Sequence, residues 1–263
     1  MVAYKYLKIL RDKYVTVVML NRPETANALN KEHLSEIEAC ALSFRDDEET
    51  RVVIFSGEGN HFSSGADIQE MGEDDDTGLL MKRRRIRMGE RALNAILAID
   101  QITIGAWNGG AIGGGACLAT AMDFRIGASG CFIQYPEIDL GLNLMWQSLP
   151  LTIRLVGTSK AKRLVIGGER VYDKKLAEWG IIEDIVPPDE LITAAKSFAM
   201  RYVDKSPIAA QMIKRSINKI SGALDQALMH SDADQHLLTM ATDDQKIARK
   251  AYLDKSTPTF TGN

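Results

Sequence analysis

Over the first two-thirds of the chain, β-branched apolar runs punctuated by turn residues alternate with segments of helical periodicity. Residues 14–20 (YVTVVML) predict a strand, stopped by Asn21, Arg22 and Pro23. Asn30 is placed to cap a helix running to Arg45, with Leu34, Ile37, Ala41 and Leu42 on one face. Residues 51–57 (RVVIFSG) predict a second strand ending in glycine, and 58–68 (EGNHFSSGADI) a loop of turn residues. Short strands follow at 103–109 (TIGAWNG), 123–129 (DFRIGAS) and 181–187 (IIEDIVP), the last stopped by Pro187 and Pro188. From about Ile182 to about Asp254 the pattern is mostly helical. Strands alternating with helices, then helices alone, predict an α/β fold with a helical C-terminal region.

Composition narrows the picture. A chain of 263 residues with 45% hydrophobic and 25% charged residues can bury a large core. A net charge of −3 argues against a nucleic-acid binder. No apolar run is long enough to span a bilayer, and the N-terminus is too broken by Lys and Arg for a signal peptide. Cys40, Cys117 and Cys131 are odd in number and widely spaced, so neither a disulfide framework nor a metal site is expected. That usage fits a reducing compartment, and a cytoplasmic location is expected. In residues 72–90, Asp74, Asp75 and Asp76 suit a helix N-terminus, with Lys82, Arg83, Arg84 and Arg85 inside the helix. Those cations read either as a solvated face or as partners for ligand phosphates.

The chemistry concentrates in three short stretches. The first, NGGAIGGGACLA at 108–119, holds five glycines in twelve residues before a helix-sized apolar run. Its spacing fits neither a dinucleotide fingerprint nor a Walker loop. It reads either as close packing of a helix on a strand or as N–H groups presented to an anionic oxygen. The second, FSSGAD at 62–67, also follows a strand, and the N–H groups of Ala66 and Gly114 would make a pair of donors. Ser63, Ser64 and His61 lack the nucleophile-elbow motif of a serine hydrolase. The third, YPEIDLG at 135–141, sets Glu137 behind a proline in apolar surroundings, where its pKa would rise enough for acid–base work. Asp139 follows two residues later, and an exposed loop position is the other reading for Glu137.

These stretches lie in an order that resembles the crotonase, or enoyl-CoA hydratase/isomerase, superfamily. VTVVMLNRPETANALN resembles its N-terminal strand and adenine-side loop; HFSSGADIQEM and NGGAIGGGACLATAMDFRIGA resemble its two oxyanion segments. YPEIDLGL resembles the catalytic-glutamate segment, GGERVYDKKLAEWGIIEDIVPPDEL the passage into the helical region, and ATDDQKIARKAYLDKSTPTFTG the C-terminal signature. The resemblance covers nearly the whole chain. It implies a spiral of ββα units forming an acyl-CoA-binding core over 1–195, then a helical trimerisation region over 196–263. It implies a homotrimer or dimer of trimers, a coenzyme A thioester as substrate, no tightly bound cofactor and no metal. Ala66 and Gly114 would hold the thioester oxygen and Glu137 would move protons. Ala28, Asp67 and Ile68 match nucleotide-side loops; Lys255 and Phe260 match C-terminal positions that reach CoA from a neighbouring subunit.

Two departures matter. The hydratases of the family carry a second glutamate where this chain has Cys117. They are also glycine-rich after the catalytic-glutamate motif, where this chain reads LNLMWQSLP, so Trp146 is expected to reshape the acyl pocket. Lack of the first glutamate is shared with the family's single-glutamate enoyl-CoA isomerases, which makes a double-bond isomerase the expected activity. The alternatives are a hydratase or lyase with a substitute acid, Asp139 or one from residues 72–90, and a decarboxylase or hydrolase, for which Lys82, His61 and His230 are the residues to examine. A non-catalytic acyl-CoA-binding or RNA-associated protein is the remaining one. His230 and His236 lie in the helical region and are expected to be core or surface residues.

Overall fold

The computed structural model describes residues 3–67 and 78–263. The first strands, β1 (Leu7–Asp12) and β2 (Val15–Leu20), form an antiparallel hairpin through Lys13, whose φ is +47°. Helix α1 (Lys31–Ser43) follows, with the Asn30 side chain accepting the His33 N–H, as expected of a cap. Leu34, Ile37 and Ala41 are buried, whereas Leu42 is 41% exposed. Its expected place on the buried face is therefore corrected: it lies just beyond the edge of that stripe. Strand β3 (Val52–Gly57) comes next, then the helices α2 (Leu79–Ile86) and α3 (Met88–Leu97).

Strands β4 (Ile102–Trp107) and β5 (Gly110–Ile112) lead into the glycine-started helix α4 (Gly114–Thr120). After β6 (Phe124–Ala128) and β7 (Phe132–Gln134), a 3-10 turn over Pro136–Leu140 precedes α5 (Leu149–Val165), which kinks at Gly157. Strand β8 (Val171–Tyr172), α6 (Asp173–Glu178) and β9 (Asp184–Val186) complete the α/β part. Helices α7 (Leu191–Val203), α8 (Pro207–Ser221), α9 (Asp225–Met229), α10 (Asp232–Met240) and α11 (Asp243–Leu253) finish the chain.

The main sheet has the order β1-β2-β3-β4-β6-β9 and is parallel from β2 onward; β5, β7 and β8 form a second, three-stranded sheet. Every residue of β2 and β3 is buried, as expected for central parallel strands covered on both faces. One face packs on α1, α3 and α4 through Leu34, Ile37, Leu93, Ile96 and Leu118. The other face is covered by Leu191, Ala195, Ala199 and Val203 of α7. Residue 195, the expected division, thus sits in a helix that is part of the sheet's own packing. The buried Lys214 ties α8 to this core, its Nζ 2.7 Å from both Asp123 Oδ2 and the Gln101 carbonyl. No helix among the described residues is long and apolar enough to cross a membrane.

Candidate active site

The small sheet brings the three chemical stretches together. Ser63 N–H donates to the Gly110 carbonyl (3.2 Å) and Ile112 N–H to the Ser63 carbonyl (3.0 Å). On the other side, Leu29 N–H donates to the Gly65 carbonyl (2.8 Å) and Asp67 N–H to the Leu29 carbonyl (3.2 Å). The 63–67 segment is therefore clamped between the 26–29 turn and β5. In a parallel pairing of this kind Leu29 uses the residues flanking Ala66, so the Ala66 N–H is turned away from it. Gly114 opens α4, where a helix has no internal acceptor for its N–H. Neither N–H donates to a partner among the described residues. The two segments touch: a Cβ on Gly65 would lie 3.2 Å from the Gly114 nitrogen.

Glycine is required at three of these points. Gly65 and Gly113 have φ of +88° and +50°. A Cβ on Gly115 would lie 2.5 Å from the Ser63 carbonyl oxygen, so α4 can approach the 63–67 segment only without one. The serines are spent on the scaffold. Ser63 Oγ donates to the Asn27 carbonyl (2.8 Å) and Ser64 Oγ to the Thr25 carbonyl (3.2 Å). His61 Nδ1 accepts the Gly110 N–H (3.0 Å). None of the three is arranged as a nucleophile–base pair.

Glu137 sits in the Pro136–Leu140 turn, which β7 delivers to the start of α4 because Gly113 N–H donates to the Gln134 carbonyl (2.9 Å). Its Oε1 lies 2.8 Å from where a Cβ on Gly113 would be, so the carboxylate abuts the donor-bearing backbone. Its Oε2 is buried without a hydrogen-bond partner. Burial pushes the Glu137 pKa up to about 7, only weakly opposed by its own backbone N–H. A carboxylate that ionises near neutral pH and has a free oxygen suits proton transfer.

Cys117, one turn into α4, is buried, and its Sγ donates to Ser148 Oγ (3.1 Å). Burial, and secondarily the Glu137 charge, push its thiol pKa well up, so it is a neutral side chain. Trp146 is 5% exposed, and its indole occupies the space that a Cβ on Gly114 or on Gly89 of α3 would need. Asp139 is exposed, its Oδ2 lying over Gly168 on the outer side of the turn.

The remaining expected positions fall in two places. The Ala28 carbonyl accepts from Arg22 Nη1 (2.7 Å) and faces His33 Nδ1 (3.2 Å). Asp67 pairs with the same Arg22 at 3.0 Å, which binds the two loops into one unit. Ile68 and the three aspartates Asp74, Asp75 and Asp76 lie outside the described residues. Phe260 is 45% exposed and adjoins Thr261, whose N–H donates to Asp244 Oδ1 (2.6 Å) at the start of α11. That helix start packs on Gly141, directly after the glutamate turn. Lys255 lies beyond the far end of α11, about 16 Å away along an 11-residue helix. His236 is buried against the Asn143 carbonyl (3.2 Å) and His230 is exposed. Lys82 is exposed on α2, where Arg83 pairs with Asp234.

Asp232, Glu90, Gln147 and Ser148, which surround Trp146, carried no signal in the sequence. Their contacts join segments far apart in the chain, 85 residues in the case of Gln147 and Asp232. Among the described residues no cluster of His, Cys, Asp or Glu could hold a metal ion.

A family model described as enoyl-CoA hydratase/isomerase matches residues 11–263. The chain is 32% identical to a crotonyl-CoA hydratase of Syntrophomonas wolfei over 260 residues, covering 98% of each. It is 31% identical to a short-chain-enoyl-CoA hydratase of Clostridium acetobutylicum, covering 93% of each. Among solved structures, an enoyl-CoA hydratase of Bacillus anthracis superposes with a TM-score of 0.78 at 28% identity, covering 98% of this chain and 100% of that one. A monofunctional enoyl CoA isomerase of M. smegmatis superposes with a TM-score of 0.70 at 28% identity, covering 81% and 92%.

Proposed function

Because the chain belongs to the enoyl-CoA hydratase/isomerase family, whose substrates are coenzyme A thioesters, we propose that it is a single-base enoyl-CoA isomerase acting through Glu137. The carbonyl oxygen of a 3-enoyl thioester binds the N–H groups of Ala66 and Gly114. Glu137 takes a proton from C2, and the C–H electrons delocalise into a dienolate whose oxygen charge those donors stabilise. The same carboxyl then returns the proton to C4 and the double bond comes to rest between C2 and C3. Losing one such oxyanion donor costs on the order of 3 kcal/mol of transition-state stabilisation.

The observation that carries this reading is the pairing of one free, buried carboxylate with a neutral thiol at the other acid position. Glu137 Oε2 has no partner, whereas Cys117 is buried and hydrogen-bonded to Ser148. A hydratase needs a second acid to hold its water, and a thiol does not replace it. The hydratase reading draws support from the names of the relatives. Among the described residues around Trp146 the acids are Glu90 and Asp232, and Glu90 is paired with Arg87 (2.9 Å) while Asp232 Oδ2 accepts the Gln147 N–H (2.6 Å). The test is product analysis with 2-enoyl, 3-enoyl and 3-hydroxyacyl thioesters, on wild type and Glu137→Gln. Isomerisation by wild type alone supports the proposal; normal turnover by the variant removes Glu137 from the mechanism.

The proposal extends to assembly. Ile208, Met212, Ile213, Ile217 and Ile220 form an exposed apolar face on α8, 58% to 80% exposed. Such a face is expected to be covered in a homotrimer or dimer of trimers, with the helices from 196 onward as the assembly region. Ala28 and Asp67 would line the nucleotide side of the CoA site. Lys255 and Phe260 would reach CoA from a neighbouring copy. Light scattering of the purified protein gives the mass directly, and a monomer would refute this part.

A further inference from the structure

Trp146 has a φ of +66° and Gln147 one of +56°, a left-handed pair in which neither residue is glycine. L side chains adopt this conformation rarely, and a bulky aromatic one more rarely still. Such a conformation persists only where its surroundings impose it. The imposing contacts come from two directions. Asp232, 1% exposed at the start of α10, accepts the Gln147 backbone N–H at 2.6 Å. Glu90 of α3, itself held by Arg87 (2.9 and 3.0 Å), accepts Gln147 Nε2 at 3.1 Å. The Asp232 carbonyl also accepts Asn143 Nδ2 (3.3 Å), so α10 grips the loop on both sides of Trp146.

The grip presses the indole into a gap kept open by two glycines. A Cβ at Gly89 or at Gly114 would overlap the indole ring. Gly114 is also the residue whose N–H is offered to the thioester oxygen, so the ring lies against the atoms that orient the acyl group. An acyl group whose carbonyl oxygen sat at the Gly114 N–H would therefore have the indole beside it.

We infer that Trp146 is a specificity-determining wall of the acyl pocket, and that Asp232 is the positioning residue that holds it there, so that the site selects short acyl thioesters over long ones. This rests on the reading of the site as one for CoA thioesters, and not on the isomerase step. The helical C-terminal region thereby sets substrate length in its own chain through one carboxylate and one backbone N–H.

The test uses saturated thioesters, which bind without reacting. Calorimetric dissociation constants for butyryl-CoA and decanoyl-CoA are compared in wild type, Trp146→Gly, Trp146→Phe, Asp232→Ala and Asp232→Asn. Glycine suits the left-handed backbone and removes the wall. The preference for butyryl- over decanoyl-CoA should fall fivefold or more in Trp146→Gly and less in Trp146→Phe. Asp232→Ala should move the preference the same way by at least twofold. Asp232→Asn should recover it, because the amide oxygen still accepts the Gln147 N–H. Loss of folding alone would not produce that recovery.

A change below fivefold in Trp146→Gly overturns the wall. A change below twofold in Asp232→Ala, or no recovery in Asp232→Asn, overturns the clamp. Should neither thioester bind wild type, the thioester reading and this inference fall together. Should the preference behave as stated while 3-enoyl-CoA is left unchanged, only the isomerase step falls.

Discussion

Relative to wild type, Glu137→Gln should gain stability as pH rises, while losing activity. In the fold, burial without a cation or a donor for Oε2 raises the Glu137 pKa from 4.5 to about 7. Below about pH 4.5 the carboxyl is protonated in both folded and unfolded chains, so it carries no penalty. Between 4.5 and about 7 the unfolded chain ionises first and binds fewer protons, so folding loses free energy with each increment of pH. Above about 7 the penalty is constant. At about 1.4 kcal/mol per pH unit the whole rise is worth about 3 kcal/mol. Glutamine is neutral throughout. Its buried amide adds an offset that does not vary with pH, so the shape of the curve isolates the carboxylate.

Urea unfolding of both proteins at pH 5, 6, 7 and 8 gives this difference directly. It should widen by about 2–3 kcal/mol between pH 5 and pH 8 in favour of the variant, or several degrees in Tm for a chain of this size. A difference that stays flat over that range would refute the buried, unpaired carboxylate. The gain in stability on losing the base is the expected signature of a group kept for reactivity.

Other consequences follow from the same geometry. If Glu137 is the base as proposed, the rate under kcat/KM conditions should rise as pH passes through about 7 and level off above; a profile flat from pH 5.5 to 8.5 would contradict this. Arg22→Ala removes the 3.0 Å pair with Asp67 and the 2.7 Å donor to the Ala28 carbonyl, and so unties the two loops; a loss of about 1–3 kcal/mol in urea unfolding is expected. Gly113→Ala puts a methyl 2.8 Å from Glu137 Oε1 at a φ of +50°. It should cost about 1–3 kcal/mol of stability and most of the turnover, whereas normal turnover would show the carboxylate is not seated there.

The sequence made some elements legible and hid others for physical reasons. Strands β2, β3, β4 and β6 are apolar runs bounded by turn residues, and each lies where its run predicted. The Asn30 cap was equally local. Strand β1 escaped because its alternation is interrupted by charge, and β5, β7 and β8 because two or three residues carry no period. Yet that small sheet is what brings Ala66, Gly114 and Glu137 together. Glu137 stood out as a carboxylate in an apolar stretch behind proline, and Gly114 as part of a run that only a close backbone approach tolerates. The setting of Trp146 did not stand out. It depends on Gly89, Glu90 and Asp232, which lie far away in sequence and have ordinary local surroundings.

As proposed, the protein is a single-base isomerase built on an oxyanion-stabilised enolate. The most direct test is a side-by-side measurement of initial rates on 3-hexenoyl-CoA and trans-2-hexenoyl-CoA, with products separated and identified. The expected result is conversion of the 3-enoyl thioester to the 2-enoyl isomer, with hydration of the 2-enoyl thioester slow by comparison. Rapid hydration of trans-2-hexenoyl-CoA with 3-hexenoyl-CoA left unchanged would contradict it.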